Sequence, residues 1–146
     1  MPAEEITLSA DYSSLSTLAL ALRHYLTVFE LDESWVYSFD LALCEAATNI
    51  IRHGYQEQPG FHYRVRFSHT SAAVTVTLYD SGTAIPELQL TPAKSDEQNE
   101  EVTLDTLSES GRGMPLIFAC IDRAIYLPGG SENQFSLIKQ LPPAAH

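Results

Sequence analysis

The apolar positions of this chain change period as it runs, and the changes divide it into elements. "EEITLSA" near the start alternates, which predicts a first strand at a sheet edge. In "DYSSLSTLALALRHYLTVFEL" the period lengthens. Leu15, Leu18, Leu22, Tyr25, Leu26 and Phe29 recur at helical spacing, with Asp11 or Ser13 placed to cap. A second helix is predicted over "LDESWVYSFDLALCEAATNIIRHGY", with Asp32 as N-cap and Gly54 as C-cap. After the turn-rich "QEQPG" the period drops to two. Phe61, Tyr63, Val65 and Phe67 share one face, and Val74, Val76 and Leu78 share another. The short "SHTSA" between them predicts a hairpin. "GRGMPLIFACIDRA" turns from glycine-rich loop into apolar helix, and "AIYLPGGSENQFSLIKQL" holds two strands around a turn.

The order β-α-α-β-β, long loop, α-β-β fits one α+β domain over residues 1–146. Its helices cover one face of a mostly antiparallel mixed sheet, giving a two-layer α/β sandwich. The long loop, from about 83 to 110, contains Pro86, Pro92, many acids and no sustained period. A loop of that length in a compact domain is functional or disordered.

One helix breaks its own pattern. "LCEAATNIIRHGY" is mostly apolar, yet carries Glu45, Asn49, Arg52 and His53. At helical pitch, with Glu45 at zero, Asn49 lies at about 40°, Arg52 at about −20° and His53 at about 80°. The four share one stripe, and the apolar residues take the wider arc. Such a stripe borders either solvent or a pocket.

Composition narrows the picture. The chain has 146 residues, 45% of them hydrophobic and 18% charged, as a soluble globular domain requires. It has no apolar run of membrane-spanning length and no basic-then-apolar leader at its start, so a cytoplasmic location is expected. Cys44 and Cys120 fall in apolar helical patterns and are expected as buried free thiols. Nineteen acids against eight bases give a net charge of −11. That disfavours nucleic acid and anionic membrane as partners. A small anionic ligand would need local help from backbone N–H groups, an arginine or a metal ion.

Three motifs supply candidate chemistry. Glu45 and Asn49 lie one turn apart. A carboxylate there can take a proton from a hydroxyl, and an asparagine carbonyl is a hard oxygen ligand suited to Mg²⁺. Asp80-Ser81-Gly82 ends a strand. Its carboxylate can accept from an exocyclic amine, and its glycine permits close approach to the backbone. Gly111-Arg112-Gly113 opens a helix, where free N–H groups and the guanidinium form an anion site. Each motif alone is also a common turn or cap. Their order and spacing together are the specific signal.

At these residues the chain resembles the anti-sigma-factor serine kinases of the gyrase, histidine-kinase and MutL type ATPase superfamily. "CEAATNIIRHGY" resembles the family's N-box, "YDSGTAIP" its first glycine box and "SGRGMPLIFACID" its second. The resemblance implies a Bergerat-type ATP-binding fold with ATP and Mg²⁺ as cofactors. It implies that Asn49 holds Mg²⁺, that Asp80 accepts the adenine amino group, and that Gly82 lies under the ring. Gly111 and Gly113 would wrap the phosphates with Arg112 close by, and Glu45 would be the general base. The segment at about 83–110 would be an ATP lid, mobile without nucleotide and partly ordered with it. His53 receives no role beyond that of a helix-end histidine packing under the lid. The implied partners are an anti-anti-sigma protein and a sigma factor, and related kinases act as homodimers. Ala84 departs from the family's second glycine. Asn133 and Gln134 occupy the region where the final strand often begins Gly-Thr. The leading function is therefore a serine kinase that also sequesters a sigma factor and so regulates transcription. The alternatives are a nucleotide-gated binder with little or no phosphotransfer, and an ATPase domain serving another signalling switch.

Overall fold

The computed structural model describes residues 4–83, 117, 119–129 and 131–142. Five strands form one sheet: β1 (Glu4–Ser9), β2 (His62–His69), β3 (Ala73–Asp80), β4 (Arg123–Leu127) and β5 (Asn133–Gln140). Their order is β1-β2-β3-β5-β4, and all four pairings are antiparallel. The expected mixed component is therefore absent among the described strands. β3 and β4 do run parallel, since β5 is antiparallel to both, but β5 lies between them. The edge position expected for the first strand is observed.

Two helices, α1 (Ser14–Leu26) and α2 (Glu33–Asn49), pack together over one face of the sheet. Period-two alternation sends Tyr63, Val65, Phe67, Val74, Val76, Leu78, Phe135 and Leu137 into the core, where all are 1% exposed or less. The helices answer with Leu18, Leu22, Phe39, Ala42, Leu43, Ala46 and Ala47, all fully buried. Small alanines on α2 let that helix lie close to its neighbours. The two-layer α+β architecture expected from the pattern is thus observed. Phe61 is the exception in the hairpin, lying outside β2 at 44% exposure. The hairpin closes where Thr70 Oγ1 accepts from the N–H groups of Ala72 and Ala73. Ile117, Ala119 and Cys120 are helical, and both cysteines are free thiols, each half-buried. Among the described residues, no helix is long and apolar enough to cross a membrane.

Helix ends differ most from expectation. α1 stops at Leu26, and Phe29 instead turns back to meet His69 edge-on, 4.9 Å between ring centres. Ser13 and Asp32 occupy the two N-cap positions without a side-chain capping bond. Gly54 does not adopt the left-handed C-cap conformation. After Asn49 the backbone widens into a π-helical turn, Ile50–Gly54, which Tyr55 N–H closes on Ile50 O at 2.9 Å. The reversal falls later, at Gln56 and Glu57, with φ of 56° and 61°.

Candidate functional site

The end of β3 meets the end of α2. Asp80 is the last residue of β3, and burial leaves it 3% exposed. Its Oδ1 accepts from Gly82 N–H at 2.9 Å and from Asn133 Nδ2 at 3.1 Å. Burial pushes the Asp80 carboxyl up, while these two donors pull it down. Asn133, at the start of β5, is itself 5% exposed. Its Nδ2 also donates to Gly82 O at 2.9 Å, and its Oδ1 accepts from Gly129 N–H at 3.2 Å.

The π-helical turn seals this corner. Thr83 N–H donates to Gly54 O at 2.7 Å. Gly82 and Gly54 pass so closely that a Cβ on Gly82 would sit 2.3 Å from Gly54 O. This contact gives Gly82 a reason of its own, apart from any ligand. Gly82→Ala should therefore cost about 1–3 kcal/mol in chemical denaturation, because backbone must move to admit the methyl. Gly54→Ala should cost less, since its Cβ would meet nothing nearer than Asp80 Oδ1 at 3.5 Å. Equal losses for the two variants would refute the contact as the cause.

Tyr55 ties the same corner to the hairpin. Its hydroxyl accepts from Ser81 N–H at 2.8 Å and donates to the His62 carbonyl at 2.9 Å. Its ring stacks on Phe61, 4.7 Å between centres. A cleft of about 340 Å³ opens here, with Gly54, Tyr55, Phe61, Ser81 and Gly82 in its wall.

The polar stripe of α2 divides at the π turn. Glu45 and Asn49 are half-buried, whereas Arg52 and His53 are exposed. The lid under which His53 is expected to pack lies outside the described residues, beyond Thr83. The wider turn changes the rotation per residue, so the uniform helical angles no longer hold beyond Asn49. Arg52 instead joins a surface cluster, its Nε 4.0 Å from Glu57, which also accepts from the Tyr12 hydroxyl at 2.7 Å. Among the described residues, no hydrogen bond ties down the Glu45 carboxylate.

The structure thus sets Asp80-Ser81-Gly82 against Gly54 and Tyr55, at the turn that follows Asn49. The third motif, Gly111, Arg112 and Gly113, lies outside the described residues, as do Ala84 and residues 84–110 of the expected lid. Sequence reasoning gave no role to Asn133 or Tyr55, which the structure bonds to Asp80 and to Ser81 N–H. The tyrosine stood inside the N-box stretch, and the asparagine stood where the family's Gly-Thr was lacking. Those were the available signals.

The histidine kinase-like ATPase domain family matches residues 8–139, and the chain belongs to it. The family is one of kinase-type, ATP-using domains, so ATP is the nucleotide it implies. The fold is similar to that of the RsbU and RsbW domains of a Mycobacterium tuberculosis protein, with TM-score 0.66 and 19% identity. That alignment covers 99% of this chain and 34% of the other, so this chain spans about a third of the length of that structure. The Acinetobacter baumannii histidine kinase AdeS aligns with TM-score 0.48 and 15% identity, over 96% of this chain and 68% of its own. No curated protein matches the chain.

Proposed function

We propose that this chain is an ATP-binding anti-sigma regulator that phosphorylates a serine on an anti-anti-sigma partner and sequesters a sigma factor. The observation that carries the nucleotide reading is Asp80. A buried carboxylate is costly unless its charge is used. Here one oxygen is pinned by Asn133 and Gly82, which leaves Oδ2 for a further donor. An exocyclic amine such as that of adenine suits it. The free acceptor therefore fits the nucleotide the family implies.

ATP, when bound, supplies the phosphoryl group, with ADP as leaving group. The chain's own residues position and deprotonate. Asn49 would offer one hard oxygen to Mg²⁺. Glu45, one turn earlier on the same face, takes the proton from the attacking serine hydroxyl. Gly111, Arg112 and Gly113 would supply N–H groups and charge to the phosphates. The serine kinase assignment and the partners rest on the resemblance of the three motifs to anti-sigma-factor kinases. The same resemblance suggests a homodimer.

Calorimetry with ATP and Mg²⁺, followed by transfer of labelled phosphate to proteins the chain captures, tests the reading. Saturable ATP binding and a labelled serine on a captured protein are expected. Binding without any transfer would replace the kinase with a nucleotide-gated binder. Absence of ATP binding would overturn both.

A further inference from the structure

We propose that Asn133 is the positioning residue of the nucleotide site, holding Asp80 in a single acceptor orientation by a clamp across three strand ends. The inference rests on the nucleotide reading above but concerns a residue outside the three motifs.

The clamp follows from the hydrogen-bond inventory. An asparagine amide carries two N–H donors and one carbonyl acceptor. The Asn133 amide nitrogen donates to Asp80 Oδ1 and to Gly82 O, and its carbonyl accepts from Gly129 N–H. Both donors and the acceptor are thus in use inside the protein, on a side chain 5% exposed. Asn133 is therefore poorly placed to touch a base itself. Its work is done through Asp80. The register explains the geometry, because Asp80 and Asn133 are paired residues of β3 and β5. Their side chains leave the sheet on the same face, side by side. The turn before β5 contributes Gly129, at φ 118°, a backbone conformation that favours glycine.

The consequence is directional. With Oδ1 held by Asn133 and Gly82, rotation of the carboxylate would break two bonds at a buried site. Oδ2 is then fixed as the acceptor presented to a ligand amine. Asn133 also supplies the positive end of a dipole to a carboxylate that burial disfavours. Among the described residues, the other charged or titratable groups acting on Asp80 are Glu132 and the Tyr55 phenol. Glu132 is engaged elsewhere, by Arg64 Nη2 at 2.7 Å and 2.8 Å.

Two variants separate positioning from mere structure, each read as its ATP affinity relative to wild type at the same pH. Taking the ratio cancels titration of the nucleotide. Asn133→Asp keeps the size but sets a second carboxylate against Asp80. Its affinity should fall about 10- to 100-fold near pH 8 and recover as the pH is lowered towards about 5. Recovery is expected because a proton shared by the two carboxyls restores a donor to Asp80. Asn133→Ala should lose a similar amount near pH 8, but its deficit should widen on acidification. Without the amide, Asp80 takes up its proton at higher pH, becomes a weaker neutral acceptor and can set an O–H donor against the ligand amine. Opposite pH trends in the two variants are the signature of positioning. Wild-type affinity in either variant, or deficits that share one trend, would overturn the inference while leaving the nucleotide reading intact. If Asn133→Asp does not fold, the widening deficit of Asn133→Ala decides alone. Absence of ATP binding by wild type would instead remove the nucleotide reading, and the inference with it.

Discussion

Glu45→Gln should bind ATP as wild type does and transfer phosphate about 10²–10⁴-fold more slowly. The amide keeps the size and polarity of the side chain but cannot take a proton from a hydroxyl. Loss of general-base action alone sets that range. The matched control is Asn49→Ala, one turn along the same helix. If Asn49 holds the metal, this variant should lose the Mg²⁺-dependent part of ATP affinity, and transfer with it. Both residues are half-buried on α2, whose packing is made by Phe39, Ala42, Leu43, Ala46 and Ala47 instead. Damage to the fold should therefore be similar and small in both, so the two losses report chemistry. Titration calorimetry with and without Mg²⁺, and single-turnover transfer of labelled phosphate, give the two readouts. Transfer at the wild-type rate by Glu45→Gln would leave the enzyme in place and move its base elsewhere.

The contrast between these two helix residues and their neighbours shows what the sequence could and could not reveal. Glu45, Asn49, Arg52 and His53 form one stripe only while the helix keeps a uniform pitch. The π turn at Ile50–Gly54 is a property of the backbone bond register, which the apolar period does not encode. The strands were legible because alternation maps directly onto a sheet with one buried face. The glycine of Asp80-Ser81-Gly82 stands out in the sequence as a candidate, yet the physical reason the structure gives for it, the Gly54 backbone at 2.3 Å from a Cβ there, depends on two segments meeting in space. Asn133 was hidden for the same reason. Its partner Asp80 lies on another strand, and nothing local to "PGGSEN" distinguishes a clamp from an ordinary turn.

Asp80→Asn should give a protein at least as stable as wild type that binds ATP about 10- to 100-fold more weakly, a loss of about 1–3 kcal/mol. The two signs have one cause. Burial raises the Asp80 carboxyl above its ordinary value by more than Asn133 and Gly82 lower it. A carboxyl raised on folding contributes stability that is complete below its unfolded value and is lost as pH rises through the folded one. At neutral pH the ionised group therefore opposes folding, and the neutral amide removes that opposition. The Asn carbonyl can still accept from Asn133 Nδ2 and Gly82 N–H. Its NH₂ must then occupy the position of Oδ2 and face the adenine amine, donor against donor. Thermal melts should show the variant equal to or above wild type near neutral pH, with the gap closing as acid neutralises Asp80 in the wild type. Calorimetry at neutral pH should show the weakened ATP binding. A variant that melts lower yet binds ATP unchanged would make Asp80 a structural residue of the β3–β5 junction and remove it from the nucleotide site.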